Sequence, residues 1–79
     1  MPTVIREAGF DVRIYTLDHP RPHVHVWKSG AVVKIDLATY AAVEVVGEIS
    51  DRDISRAERL VARNSARLRR DWARIHGTN

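Results

Sequence analysis

Seventy-nine residues carrying a formal charge of +3 and no cysteine exclude a good deal before any motif is read. A chain this short is expected to form one domain, residues 1–79, with a thin core that neither disulfides nor thiolate metal sites can reinforce, so pairing with a like or unlike chain is the natural route to added stability. The ~18 consecutive apolar residues of a membrane span occur nowhere, and the N-terminus has no long apolar run, so the expectation is a cytoplasmic protein without signal peptide or membrane contact.

The first strand is expected over about Gly9 to Tyr15. Phe10, Val12 and Ile14 then share one face, and Asp11, Arg13 and Tyr15 share the other. The passage Asp18-His19-Pro20-Arg21-Pro22-His23-Val24-His25-Val26 follows, with three of the four histidines inside seven residues. Its prolines stiffen the approach to a second strand, His23 to Lys28. Alternation sends Val24 and Val26 to the core and is expected to send His23 and His25 outward together, roughly 6.5–7 Å apart.

Ser29-Gly30 suits a tight hairpin turn into a third strand, Ala31 to Leu37. With those two as the loop, Lys28 faces Ala31, Val26 faces Val33 and Val24 faces Ile35. The same register sets Trp27 against Val32, His25 against Lys34 and His23 against Asp36. A one-residue slip would bury the histidines and expose the valines, so the apolar pattern selects this register. A weaker strand is expected over Ala42 to Val46.

Composition changes near Ser50, from β-branched residues to alanine, leucine and arginine without proline. Ser50 reads as a helix N-cap, with Asp51 and Asp53 complementing the helix dipole. Ile54, Ala57, Leu60, Val61, Leu68, Trp72 and Ile75 form an apolar stripe; Asn64-Ser65 interrupts it, marking a bend between two helices, and Gly77 is a stop. On the opposite side Arg52, Arg56, Arg59, Arg63, Arg67, Arg70 and Arg74 fall within an arc of roughly 80° on one continuous helix. Such a row fits a polyanion or an acidic partner protein, or else a solvated face. The fold expected is α+β: a small antiparallel sheet of three or four strands within about 9–46, packed on one face by one or two C-terminal helices within about 51–76.

Three readings of the histidines stay open. In one, His23 and His25 are general base and acid on a phosphodiester, Asp36 orients His23, and Lys34 or Arg13 meets developing negative charge. RNA cleavage of this kind needs no cofactor, because the ribose 2′-hydroxyl is the nucleophile. In another, His23 and His25 bind zinc or another divalent ion with His19 or Asp36. In the last they are structural. Tyr15 and Trp27 suit base stacking or a protein interface, Trp72 the core, and His76 the helix dipole. Asp18 suits a turn.

Met1-Pro2-Thr3-Val4, the Gly9-Phe10 strand start, the run from Asp18 to Val26 and the helical tail ending near Trp72 resemble the small bacterial domain-of-unknown-function family 4160. The string at His19 to Val26 is the most specific part; the family typically has proline where this chain has Arg21. Members are often encoded beside a second family of unknown function, numbered 2442, in an arrangement like a type II toxin–antitoxin pair. The resemblance therefore implies a toxin-like chain with an antitoxin-like protein as partner, and it carries over no catalytic residue. Joined to the residue reading, it gives a toxin-like protein that, if catalytic, cleaves RNA without a metal through His23, His25, Asp36 and Lys34. The alternative is a non-catalytic nucleic-acid or protein binder using Arg59, Arg63, Arg67, Arg70 and Arg74.

Overall fold

Five strands precede two helices in the computed structural model, which describes residues 3–15 and 21–77. They are β1 (Thr3–Glu7), β2 (Phe10–Arg13), β3 (His23–Lys28), β4 (Ala31–Asp36), β5 (Ala42–Val46), α1 (Asp51–Arg63) and α2 (Ser65–His76). The strands pair in chain order, each antiparallel to the next, so the described chain is an α+β meander followed by helices. Asp18 and His19 lie outside the described residues.

The sheet has five strands where three or four were expected. The added one is β1, which pairs with β2 through Ile5↔Val12 and Glu7↔Phe10. Its turn is Ala8-Gly9, with φ of 53° and 82°. Two successive positive φ values are the mark of a primed two-residue turn, but alanine in the first position hides it from a sequence reading. Glycine supplies its half of the turn without steric cost.

The central hairpin has the expected register at all six pairs, from His23↔Asp36 to Lys28↔Ala31. Ser29 and Gly30, at φ of 49° and 84°, make the same kind of turn. Alternation then works as the apolar pattern requires. Phe10, Val12, Ile14, Val24, Val26, Val33 and Ile35 are buried together with Ala57, Leu60 and Val61 of α1 and Leu68 and Trp72 of α2. The two helices thus pack on one face of the sheet. Asp11, Arg13, His25, Trp27, Val32 and Lys34 are only partly buried and lie on the other face, which no described helix covers.

Ser50 caps α1: its Oγ accepts a hydrogen bond from Asp53 N at 3.1 Å, and its own backbone is extended. Ser50→Ala should therefore cost about 1 kcal/mol. The check is a lower urea midpoint with an unchanged m-value. Asn64 ends α1, donates Nδ2–H to Leu60 O at 2.8 Å, and opens α2, which stops before Gly77. No helix among the described residues is long and apolar enough to cross a membrane.

Candidate functional site on the open sheet face

The registers of three adjacent hairpins place Arg13, His25, Lys34 and Glu44 as successive cross-strand neighbours. With strands about 4.8 Å apart, Arg13 and Lys34 flank His25 at one strand spacing on either side. A cavity of about 110 Å³ opens beside His25, lined by Val32, Lys34, Glu44 and Val46. Arg13, His25 and Lys34 face this way because each alternates with core valines or isoleucines on its own strand, whereas Glu44 stands between Val43 and Val45, which are themselves exposed. Burying one set orients the other.

Aromatic groups frame the row. The Tyr15 and His25 ring centroids are 4.4 Å apart, and Trp27 Nε1–H donates to the Tyr15 hydroxyl at 2.8 Å. Arg13 lies over the Trp27 ring at 5.0 Å and donates to Asp11 at 2.9 Å. The Asp11 hydrogen bond raises the Arg13 pKa further, so the guanidinium charge is held firmly at this face. Its planar fork is thereby fixed against the indole, which is a favourable cation–π geometry.

His23 departs from expectation. Its ring stays beside that of His25, at 5.2 Å, but the residue is only 6% exposed because the Trp72 ring of α2 stands 5.3 Å away on the other side. Alternation assumes an uncovered strand, whereas the end of α2 reaches the first residue of β3. His23 Nδ1 meets Arg21 O at 2.7 Å, and since a carbonyl only accepts, Nδ1 carries the hydrogen. Among the described residues the hydrogen bond that orients this ring goes to the Arg21 carbonyl, not the Asp36 carboxylate.

Asp36 is engaged elsewhere. Its Oδ1 accepts from Ala38 N at 2.6 Å and Thr39 N at 3.3 Å, and its Oδ2 pairs with Arg21 at 3.2 Å. The bond from Ala38, then that from Thr39 and the charges of Arg21 and His23, outweigh the opposing effect of burial and lower its pKa. A lowered folded-state pKa gives stability that is present above the unfolded value and lost as pH falls through the folded one. Asp36→Asn is thus expected to be less stable at pH 7 by roughly 1–2 kcal/mol. That gap should close as the pH is taken below the ordinary carboxylate value of about 3.9. Urea melts of both proteins across that range are the check.

The helix arginines do not join the open face. Because Asn64 separates two helices, the stripe divides, and several members turn toward the chain itself. Arg63 pairs with Glu7 at 2.7 Å, Arg67 donates to Val4 O at 2.6 Å, Arg56 pairs with Asp53 at 3.4 Å, and Arg74 pairs with Asp71 at 3.1 Å. Arg59 and Arg70 are exposed and make no hydrogen bond or ion pair among the described residues.

The model of a known family matches residues 9–73, which takes in the open-face row, the histidine string and both helices as far as Ala73. The chain belongs to that family, described as a domain of unknown function, DUF4160. No curated protein and no solved structure matches the chain. The expected membership is thus shown over most of the chain, and β1, at residues 3–7, precedes the matched span.

Among the described residues, no group of three His, Asp or Glu side chains is arranged to hold a metal ion, and His19 lies outside them. One contact set was not legible beforehand. Arg69 donates to Leu37 O and, from Nε at 3.3 Å, to the Tyr40 hydroxyl, whose pKa the same guanidinium lowers. Tyr40 has φ of 62°, a conformation uncommon for a side-chain-bearing residue. The clamp fixes the β4–β5 connection that carries Asp36. Arg69 stands off the arginine stripe, which is the one signal that could have singled it out.

Proposed function

We propose that this chain is the toxin-like member of a bacterial toxin–antitoxin-like pair and that it acts on RNA, in the cytoplasm, at the open face of its sheet. One arrangement carries the reading: a half-buried histidine, His25, set between two cations, Arg13 and Lys34, beside a cavity and an aromatic rim. Single-stranded RNA is read on sheets through stacking on aromatic side chains together with backbone charge, and Tyr15 and Trp27 provide the rings. The gene-pair arrangement that the resemblance implies supports the toxin-like role and the antitoxin-like partner.

The histidine roles are divided. His25 takes the proton of a ribose 2′-hydroxyl as its oxygen attacks the adjacent phosphorus and the bond to the 5′-oxygen breaks. Arg13 and Lys34 meet the charge that builds on the phosphoryl oxygens. The Tyr15 hydroxyl accepts from Trp27 and so keeps its own hydrogen to give to the departing 5′-oxygen. His23 supports His25 from behind and is a positioning residue. The products are a 2′,3′-cyclic phosphate and a 5′-hydroxyl end. Analysis of RNA ends after incubation with the purified chain and a chelator is the test, and intact RNA would sink the reading.

A second reading, a non-catalytic nucleic-acid binder, draws on the exposed Arg59 and Arg70. It predicts affinity that falls steeply with salt and is indifferent to His25.

A further inference from the structure

We propose that a pocket on the helix side of the sheet, between the β1–β2 turn and α1, binds the dianionic end of a phosphate monoester. It stands independently of the open-face reading, since the sheet separates the two. Arg56, Arg59 and Arg63, together with Phe10, Glu7 and Ala8, line a cavity of about 150 Å³. The three arginines follow spacings of three and four, so two turns of α1 bring three guanidinium groups to one side. Each is a planar fork suited to paired hydrogen bonds with phosphate oxygens.

A fourth cation stands against the Phe10 ring that lines the pocket. Lys28 Nζ lies 4.9 Å over the Phe10 ring, and a Cβ built on Gly9 would stand 3.1 Å from that nitrogen. Arg56 is held over the same ring at 5.8 Å. The turn favours Gly9 for its φ of 82°. The carboxylates nearby do not neutralise the group. Glu7 pairs with Arg63 at 2.7 Å and Asp53 with Arg56 at 3.4 Å, while Arg59 has no carboxylate among the described residues. Lys28 and the three arginines against Glu7 and Asp53 leave the group at +2, the complement of a phosphate dianion.

Size narrows the ligand. Pockets that enclose whole small molecules measure about 300–1,000 Å³, so this one fits a terminal phosphate and not the nucleoside attached to it. The phosphate can belong to a free mononucleotide or to the 5′ end of an RNA chain. Glu7 is the internal anion that such a ligand would have to share Arg63 with.

The test uses the full chain labelled with nitrogen-15, titrated in turn with inorganic phosphate, a nucleoside 5′-monophosphate, and one short RNA, 2′-O-methylated so that it has no attacking hydroxyl, with either a 5′-phosphate or a 5′-hydroxyl. Saturable shifts at the Ala8, Gly9 and Phe10 amides are expected with the first two ligands and with the phosphorylated RNA. Arg59→Gln should weaken binding roughly tenfold, Glu7→Gln should strengthen it several-fold, and Arg52→Gln, on the same helix but off the pocket lining, should leave it alone. Phosphorylated RNA binding more tightly than the mononucleotide assigns the site to chain ends; the reverse assigns it to free nucleotides. The proposal fails if phosphate gives no saturable shift at the turn, if Arg59→Gln and Arg52→Gln behave alike, or if the 5′-hydroxyl RNA shifts the turn amides as strongly as its phosphorylated form.

Discussion

His25→Ala is expected to lower RNA cleavage by the purified chain by about 10²–10⁴-fold, the usual contribution of a positioned proton-transfer group. Growth arrest on expressing the chain alone should disappear with it. The protein should remain folded, because His25 is only half-buried and its loss removes ring contacts with Tyr15 and His23 worth about 0.5–1.5 kcal/mol each. A far-ultraviolet dichroism spectrum and a thermal melt alongside the assay separate chemistry from folding. His23→Ala makes the contrast. It removes a buried ring, leaves the Arg21 carbonyl without its 2.7 Å donor, and opens a void beside Trp72, so it should cost stability as well as activity. Lys34→Gln should reduce cleavage with little change in the melt. If His25→Ala still arrests growth and still yields cyclic phosphate ends, the open-face mechanism is wrong, whatever His23 does.

Replacing both histidines together would confound these effects. That point marks the boundary between what alternation reveals and what it does not. Six consecutive cross-strand pairs of the central hairpin were legible because two constraints agreed: the valine pattern fixed the faces and Ser29-Gly30 fixed the loop length. Register follows from those two facts alone. Exposure does not, because it depends on where the end of a helix lands, and Trp72 is 49 residues along the chain from His23. Trp72 belonged plainly to the apolar stripe, yet nothing in its spacing shows that its ring would reach His23.

Asp36 illustrates the same limit on a smaller scale. Its position opposite His23 was correct, but facing residues on a ladder need not bond to each other. The carboxylate closes onto the amides two and three residues ahead, a local habit of aspartate at turns that competes with any long-range partner. The arginine row failed differently. A helical wheel assumes one unbroken helix, and Asn64 ends that assumption by starting a second helix with its own phase. Arg63 and Arg67 were then available to Glu7 and Val4, on a strand too short and too exposed to be recognised in advance. β1 has only Ile5 buried among its described core-facing positions, so its apolar signal was thin.

Trp72→Ala should be the most destabilising single change outside the sheet. The indole is 6% exposed, stacks on His76 at 3.7 Å and backs His23 at 5.3 Å, so truncation removes the wall between the core and the first residue of β3. Buried tryptophan to alanine costs about 3–5 kcal/mol. A chain of this length has a total stability of roughly 4–12 kcal/mol, at 0.05–0.15 kcal/mol per residue. About a quarter or more of the folding free energy therefore rests on this ring, and the melting temperature should fall by more than about 12 °C. Trp72→Phe keeps an apolar ring against His23 and should recover most of the loss. The pair of variants also reaches the chemistry. If His23 steadies His25 through packing, cleavage by Trp72→Phe should stay near wild type. Trp72→Ala, assayed well below its melting temperature, should then lose activity out of proportion to its unfolded fraction. Equal specific activity per folded molecule in the two variants would show that the aromatic backing of His23 holds the fold and does nothing for the site.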